Sequence, residues 1–331
     1  MHFAQVHTAP DVYRIRVPFD NYKLDSMNCY VVKDGEDALV VDTGAPADES
    51  RNYLCAALDE LRVDPQRASF FLTHLHLDHA GLVDAVVGPE APLYVNERDF
   101  RRIQPDEVQR RYEELYRALV AEGADADSAR CSIESRKQFS HIIQKNHDVR
   151  FVHEGDGISV GRYLFRVVDT AGHTPGHQAL YHPESGVLFS GDHILFVMSP
   201  GMGLFLPDGD SVQTYLDNLQ KVRDLDVRLL CHSHGPLHDG VNERIDYLMS
   251  HQRKRAERAL SLMRETPGAT GFEITQRIGF KLPFVTWDEI PCVQRLTVME
   301  IGAAFLRHLE KRGAVRHELD DDGVKRYWAC K

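Results

Sequence analysis

The stretch "FFLTHLHLDHAGL" (residues 70–82) carries His74, His76, Asp78 and His79 within six positions, directly after a short apolar run. A run such as "FFL" is typical of a buried strand, so the polar cluster lies where a strand is expected to end. Strand ends are where α/β proteins build their sites. Imidazole nitrogens and carboxylate oxygens are ligands for Zn²⁺ and similar divalent cations. The stretch therefore predicts a metal site.

A single histidine is more often packed or solvated than a ligand, but four ionisable residues this close together are rarely found by chance. In a tight turn, the rings of His74 and His76 can converge on one point. Asp78 and His79 follow closely enough to serve a second ion beside the first. The spacing thus predicts two neighbouring ions rather than one.

Further ligand types follow three other apolar runs. His173 comes after "YLFRVVDT" in "AGHTPGH", Asp192 comes after "VLFS" in "SGD", and His234 comes after "VRLLC" in "HSHG". Each has a glycine beside it, which lets the backbone turn closely around an ion. We expect these side chains to join the first cluster.

Together, the motifs T-H-L-H-L-D-H, A-G-H-T-P-G-H, S-G-D and H-S-H-G resemble the metal motifs of the metallo-β-lactamase-fold hydrolases, over about residues 10 to 240. The resemblance implies an αββα sandwich in which two mixed sheets face each other with helices outside. It also implies a binuclear centre with Asp192 as the bridging ligand. By this resemblance His74, His76 and His173 hold one ion, and Asp78, His79 and His234 hold the other.

The last motif leaves an alternative open, because "CHSHG" offers both His232 and His234, whereas the family motif reads G-H-G. We favour His234 because Gly235 and Pro236 follow it as the family pattern expects. His232 remains the alternative ligand.

Three residues near the motifs are interpreted as supporting rather than ligating. His177 and His193 flank predicted ligands, where histidines commonly orient the true ligands or pack behind them. Cys231 could be mistaken for a thiolate ligand, but Asp192 already fills the bridging position, so we treat Cys231 as structural.

The composition is that of an ordinary globular protein, with 43% hydrophobic and 27% charged residues. A formal net charge of −11 argues against nucleic acid as the main partner, since phosphate binding needs a basic surface. No apolar stretch has the length of about 18 residues that a membrane span requires, and the N-terminus does not resemble a signal peptide. The six cysteines contain no C-x-x-C pair, so we expect no disulfide framework and a reducing, cytoplasmic location.

The order of the segments predicts an α/β (α+β) fold in two domains. Residues 1–242 form the predicted metallo-β-lactamase-like catalytic domain, with a strand meander over 11–43 and a charged helical insertion over 97–147. Residues 243–331 read as helix, helix and hairpin, which predicts a small winged-helix-like domain. The insertion is interpreted either as a lid over the site, together with the apolar loop 195–207, or as a solvated or dimer-forming surface.

The predicted function is binuclear, metal-dependent hydrolysis in which a bridging hydroxide attacks the substrate, with Asp78 and Asp192 as the catalytic carboxylates. We expect two divalent ions, zinc in the first place and iron or manganese as alternatives. The predicted substrate is a small-molecule ester, thioester or lactone, and a homodimer is compatible with the sequence. One alternative is an endoribonuclease or phosphodiesterase, which the predicted winged-helix-like domain favours. The other is a non-catalytic metal-binding regulatory protein.

Overall fold

The computed structural model describes residues 2–21, 24–137, 143–280, 284 and 286–330. The chain divides into two compact units. The first unit consists of Met1–Gln104, His141–Pro200 and Asn218–Ile245. The second unit consists of Pro105–Ser140, Gly201–Asp217 and Asp246–Lys331. Residues 138–142 of the predicted insertion and 281–283, 285 and 331 of the predicted C-terminal domain lie outside the described residues.

Strands and helices alternate along most of the chain. The first part forms β1 (Phe3–Thr8), β2 (Asp11–Asn21), β3 (Leu24–Asp34), β4 (Asp37–Val41), α1 (Asp48–Glu60), β5 (Ser69–Phe71), α2 (Leu77–Ala80), α3 (Val83–Val86), β6 (Pro92–Val95), α4 (Glu97–Arg102), α5 (Pro105–Ala121) and α6 (Ala126–Lys137). The middle forms β7 (Asp148–Phe151), β8 (Gly157–Val160), β9 (Tyr163–Asp169), β10 (Gln178–His182), β11 (Val187–Gly191), α7 (Ser211–Arg223) and β12 (Leu229–His232). The last part forms α8 (Val241–Glu265), β13 (Ala269–Thr270), α9 (Gly271–Arg277), a 3₁₀ turn (Trp287–Glu289), α10 (Cys292–Lys311), β14 (Val315–Leu319) and β15 (Lys325–Ala329).

The first sheet has the order β1-β2-β3-β4-β5-β6-β7. Strands β1 to β4 pair antiparallel, which confirms the meander predicted over residues 11–43. The pairs β4–β5, β5–β6 and β6–β7 are parallel. The change of direction follows from the connections, because α1 carries the chain back between β4 and β5 whereas short turns join the earlier strands.

The second sheet has the order β12-β11-β10-β9-β8 and belongs to the same unit. Its strands pair antiparallel except β11 and β12, which are parallel and are separated along the chain by α7. Both sheets are therefore mixed, as the family resemblance implied.

The two sheets share a buried apolar cluster. On β3, Tyr30 and Val32 contribute to this cluster, while Cys29 and Val31 contribute to a second cluster with Leu54 and other residues of α1. Alternate residues of a strand face opposite sides of the sheet, so continuous apolar runs such as "NCYVV" are buried on both faces. The first sheet is thus covered by the second sheet on one face and by α1 on the other.

The second unit contains α5, α6, α9, α10 and a small sheet in the order β13-β15-β14. Helices α5 and α6 lie within the span predicted as a charged helical insertion, and α5 buries Val108, Tyr112, Leu115 and Leu119 along one stripe. Helix α9 begins with a capping box between Thr270 and Glu273. Gly302 lets α10 approach α9 closely, because a Cβ there would lie 2.1 Å from Thr275 Oγ1.

The expectation about the cysteines is wrong for one pair. Cys131 of α6 and Cys292 of α10 form a disulfide within the second unit. The two residues are 161 positions apart, so the spacing of cysteines along the chain carried no signal of the pairing. Separately, among the described residues no helix combines the length and the apolar character that crossing a membrane would take.

Packing between the two sheets generates a stability prediction. Phe165 on β9 is fully buried in the cluster between the sheets, with its ring 6.0 Å from that of Phe189. Phe165→Ala should lower the free energy of unfolding by about 3–5 kcal/mol, measured by urea denaturation, because it removes a large buried ring and leaves a cavity. Leu164→Ala, at the neighbouring 40%-exposed position, is the control and should cost less than about 1 kcal/mol. Equal losses in the two variants would contradict this packing.

Candidate metal centre

Three of the predicted histidines meet at one point. His74 Nε2 lies 3.0 Å from His76 Nδ1, and His76 Nδ1 lies 2.9 Å from His173 Nε2. His74 and His76 come from the loop after β5, and His173 comes from the loop after β9. Imidazole nitrogens this close share either a proton or a cation, and three of them together favour a cation.

The other predicted residues lie against this group. His79 Nε2 and His234 Nε2 are each 3.3 Å from Asp192 Oδ1, and His173 Nε2 is 3.5 Å from Asp192 Oδ2. Asp78 Oδ2 lies 3.4 Å from His234 Nε2. Asp192 therefore faces histidines of both groups. The candidate groupings are His74, His76 and His173; His74, His79 and Asp192; and Asp78, His79 and His234.

The meeting of these side chains requires a glycine at the end of β11. Gly191 has a φ of +48°, and a Cβ there would lie 2.6 Å from Thr73 Oγ1. Any larger residue would push Asp192 away from the loop that carries His74. The glycine predicted to permit a close turn is therefore needed for both conformation and space.

Asp42, a residue that the sequence analysis missed, organises the first motif. Its buried carboxylate accepts hydrogen bonds from Thr73 N at 2.8 Å, Thr73 Oγ1 at 2.9 Å and His79 Nδ1 at 2.8 Å. Asp42 itself adopts the left-handed conformation, with a φ of 60°. The available signal was an aspartate placed directly after the apolar run of β4, in "ALVVDTG".

Asp99 of α4, also missed, ties two ligand-bearing loops together. Its buried carboxylate accepts from Thr174 Oγ1 at 2.6 Å and Gly176 N at 2.8 Å in the loop after β9. It also accepts from Leu75 N, between His74 and His76, at 3.4 Å. Within the charged run "ERDFRR" nothing distinguishes this aspartate from its neighbours, so no sequence signal could have found it.

The "HSHG" loop is held by β3. Asn28 Nδ2 donates to His232 O at 3.0 Å and to Gly235 O at 2.8 Å, and Tyr30 Oη donates to His232 O at 2.7 Å. This places His234 in the cluster. The His232 ring lies elsewhere, against Phe196 at 5.5 Å between ring centroids.

The residues interpreted as supporting lie behind the cluster. His177 Nε2 accepts from Asp192 N at 3.1 Å, so its Nδ1 is the protonated nitrogen and donates to Thr170 Oγ1 at 2.7 Å. Both ring nitrogens of His177 are thereby used. His193 is fully buried, with its ring 6.2 Å from that of His177. Cys231 packs in the core between the sheets, where burial raises the pKa of its thiol.

The charges of the cluster are strongly coupled. Burial and the neighbouring imidazoles, His79 first among them, hold the pKa of His74 well below its usual value. Burial alone would raise the pKa of Asp78, but His79 and His234 bring it down to about 2. For His79, burial alone would lower the pKa, but the carboxylates of Asp42, Asp192 and Asp78 raise it above its usual value. The carboxylate of Asp78 is therefore ionised at neutral pH.

The donor set fits divalent cations. His79 Nδ1 donates to Asp42 at 2.8 Å, so Nε2, which faces Asp192, is the ring nitrogen available to a cation. That Nε2 atom is buried and makes no hydrogen bond among the described residues. His76 is exposed and the Asp78 side chain is 22% exposed, so the cluster opens to solvent on their side. An open side distinguishes a catalytic metal site from a closed structural one.

Comparison with known proteins agrees with this geometry. Residues 23–234 match the sequence profile of the Metallo-beta-lactamase superfamily. The chain belongs to this superfamily. A "metallo-beta-lactamase family protein" of Thermus thermophilus is 26% identical, with a TM-score of 0.76 over 96% of this chain and 98% of that one. The fold that the motifs implied, a metallo-β-lactamase fold of sheets and helices, is thus confirmed.

Several relatives carry names of hydrolases. A "Beta-lactamase-like protein 2 homolog" of Caenorhabditis elegans is 24% identical over 302 residues, covering 89% of this chain and 82% of the relative. A "Probable metallo-hydrolase YqjP" of Bacillus subtilis is 27% identical over 281 residues, covering 82% and 86%. A "Hydroxyacylglutathione hydrolase" of Rhodospirillum rubrum is 40% identical over 81 residues, which cover 24% of this chain and 30% of the relative. The prediction of a metal-dependent hydrolase is confirmed at the level of this class.

The hydrogen bonds of Asp42 generate a prediction about metal affinity. Asp42→Asn should weaken zinc binding by about 10–100-fold, because His79 loses the carboxylate that sets its tautomer and orientation. Competition with a chromophoric chelator measures the affinity. Asp34→Asn is the matched control, since Asp34 is an aspartate of the neighbouring strand β3 that pairs with Arg162 instead. An affinity equal to that of the wild type in Asp42→Asn would contradict the role of this carboxylate.

Proposed function

We propose that the chain is a binuclear metal-dependent hydrolase acting on a small-molecule ester, thioester or lactone. The proposed ligands are the seven side chains predicted from the motifs: His74, His76 and His173 for one ion, Asp78, His79 and His234 for the other, and Asp192 for both. Zinc is the proposed metal, with iron or manganese as the alternatives that the same ligand types accept.

One observation carries the proposal. The candidate ligand atoms form three groups, and within each group they lie within 4.8 Å of one another although their residues span 161 positions of the chain, from His74 to His234. Each group shares a member with another group, since His74 and His79 each occur twice. Overlapping groups of this kind suit two adjacent ions better than one. Holding so many lone pairs and two carboxylates together without cations would cost free energy through mutual repulsion.

The chemistry assigns distinct tasks to the surrounding residues. Two bound divalent cations supply a hydroxide nucleophile at neutral pH and polarise the oxygen under attack. Asp42 keeps the proton of His79 on Nδ1, and Thr73 Oγ1, which donates to Asp42, accepts from His74 Nδ1 at 3.1 Å. In both imidazoles Nε2 is therefore the ring nitrogen that faces the centre and is available to a cation. Asp78, ionised and on the open side, is the carboxylate best placed to orient an attacking water.

Apolar side chains beside the centre support an acyl substrate with an organic tail. The Phe19 ring lies 6.4 Å from that of His234. Val197 is 45% exposed and lies next to Gly235, where a Cβ would be 2.5 Å from Val197 Cγ1. Arg244 holds this segment by donating to Leu195 O at 2.6 Å and Met198 O at 2.7 Å. Because these guanidinium nitrogens are bonded to backbone carbonyls, Arg244 is poorly suited to bind a phosphodiester.

The similarity to a hydroxyacylglutathione hydrolase, an enzyme named for a thioester substrate, also favours acyl transfer to water. That similarity covers a short part of the chain, so it supports the reaction class more than the identity of the acyl group. Thioesters therefore come first among the three proposed substrate types.

We further propose that the region from residue 243 onward is a winged-helix-like domain. The order α8, β13, α9, α10, β14, β15 and the antiparallel three-stranded sheet support this assignment. The turn between β14 and β15 consists of "DDDG", three aspartates and a glycine, where a wing that meets phosphate would carry lysine or arginine. A packing module agrees better with this charge than a nucleic-acid-binding module.

Replacing either proposed catalytic carboxylate generates a prediction about turnover. Asp78→Ala and Asp192→Ala should each lower kcat/KM by about a thousandfold or more, equivalent to about 4 kcal/mol of transition-state stabilisation. Metal analysis and circular dichroism accompany the kinetics, so that loss of ions and loss of fold are told apart. His232→Ala is the control at the alternative histidine and should keep the metal content. If His232→Ala lost one ion and His234→Ala kept both, the ligand assignment would be reversed.

A substrate panel tests the reaction class. The zinc-loaded protein should hydrolyse acyl thioesters, p-nitrophenyl esters or lactones, and should leave bis-p-nitrophenyl phosphate and single-stranded RNA intact. Val197→Asp should raise KM for substrates with long acyl chains more than for acetyl esters, because it places a charge in the apolar wall. Preferential RNA cleavage would overturn the proposal in favour of the nuclease, and metal binding with no hydrolysis in any arm would favour a regulatory protein.

A further inference from the structure

The disulfide of the second unit lines a cavity. Cys131 and Cys292 both contribute to the wall of a cavity of about 570 Å³. Cys131 is exposed and Cys292 is half-buried, and both residues face the cavity. Exposed disulfides are the more readily exchanged. The remaining cysteines are free thiols: Cys29, Cys55, Cys231 and Cys330.

The cavity has an acidic and aromatic lining. Asp125, Asp127 and Asp288 line it, and among the described lining residues Arg295 is the one that carries a positive charge. Arg295 donates to the backbone carbonyls of Ile290 at 2.7 Å and Asp288 at 2.5 Å, which occupies its guanidinium group. The lining therefore favours a cationic ligand over an anionic one.

Two aromatic rings add to this preference. Phe272 and Trp287 line the same cavity and contact each other edge to face, with ring centroids 5.0 Å apart. A protonated amine is attracted both by aromatic faces and by carboxylates. The ligand that matches this lining is a small alkylammonium ion.

We propose that the Cys131–Cys292 disulfide is a thiol–disulfide exchange site whose cavity selects small aliphatic thiols that carry a protonated amine. In the first step, the thiolate of the incoming thiol attacks Cys131 Sγ, forming a mixed disulfide and releasing Cys292 as a thiolate that takes up a proton. In the second step, another thiol molecule attacks the mixed disulfide, giving the dimeric small-molecule disulfide and the Cys131 thiol. Two thiols are oxidised and one protein disulfide is reduced, and the reverse sequence uses the small-molecule disulfide as oxidant.

The positions of the two sulfurs decide the direction of attack. Cys131, the more exposed, is the accessible electrophile. Cys292 is the first residue of α10, a helix of 20 residues, and the N-terminus of a helix stabilises a thiolate. Cys292 is therefore the better leaving group. When the disulfide opens, α6 and α10 remain joined by the ion pair of Arg136 with Glu300 at 3.0 Å, so exchange need not unfold the unit.

The test uses the full-length protein and two thiols of matched size, cysteamine and 3-mercaptopropionate. Reduction is followed by quenching with N-ethylmaleimide and by peptide mass spectrometry at Cys131 and Cys292, a readout that does not involve the metal centre. Thiol titration in denaturant should count four free cysteines in the oxidised protein and six after reduction. Cys55→Ser, which removes an exposed free cysteine in the first unit, is the control and should leave the exchange rates unchanged.

The charge preference is measured by dividing the cysteamine-to-mercaptopropionate rate ratio of the wild type by that of a variant. The intrinsic reactivities of the two thiols cancel in this quotient. The cysteamine-to-mercaptopropionate rate ratio should fall by about tenfold at low salt in the Asp127→Asn/Asp288→Asn double variant, and about 0.5 M salt should reduce the difference. Asp125 is left unchanged because it caps α6 by accepting from Ser128 N at 2.8 Å. A ratio that is the same in both proteins overturns the selectivity. If Cys131 and Cys292 both remain free after incubation with cystamine, the site itself is overturned.

Discussion

The carboxylate of Asp42 is the contact on which the candidate metal centre depends. It fixes the backbone of Thr73, the hydroxyl of Thr73 and the ring of His79 through three hydrogen bonds of 2.8 to 2.9 Å. Because Asp42 accepts at His79 Nδ1, Nε2 is the ring nitrogen of His79 that is left for a cation. Thr73 Oγ1, which donates to Asp42, accepts in the same way at His74 Nδ1. One buried carboxylate thus orients two proposed ligands from outside the ligand set.

The sandwich supplies the rigidity that this arrangement needs. The proposed ligands follow β5, β9, β11 and β12, strands whose positions are fixed by the apolar cluster between the sheets and by the cluster against α1. Asn28 and Tyr30 on β3 then hold the last ligand loop through backbone carbonyls rather than through the ligand itself. Groups that repel each other without cations are kept together because packing elsewhere in the unit offsets the repulsion.

The second unit is held together by contacts of other kinds. Its helices pack through small residues such as Gly302 and through an amphipathic α5, and the Cys131–Cys292 disulfide links α6 to α10. The cavity beside that pair is acidic, and so is the turn of the hairpin that follows α10. Both acidic features would repel phosphate groups.

The sequence by itself determined the fold family, the strand meander, the helical insertion and the cluster of proposed ligands. Each of these features depends on short motifs or periodic patterns of residues that lie close together along the chain. A histidine two residues from another, or an aspartate after an apolar run and a glycine, is visible without coordinates. The sequence favoured His234 over His232, and the tertiary structure has His234 among the candidate ligands and the His232 ring against Phe196. Only the tertiary structure revealed Asp42, Asp99 and the disulfide as partners of distant residues. Their contacts join positions 24 to 161 residues apart, and separations of that size leave no periodic trace in a single chain.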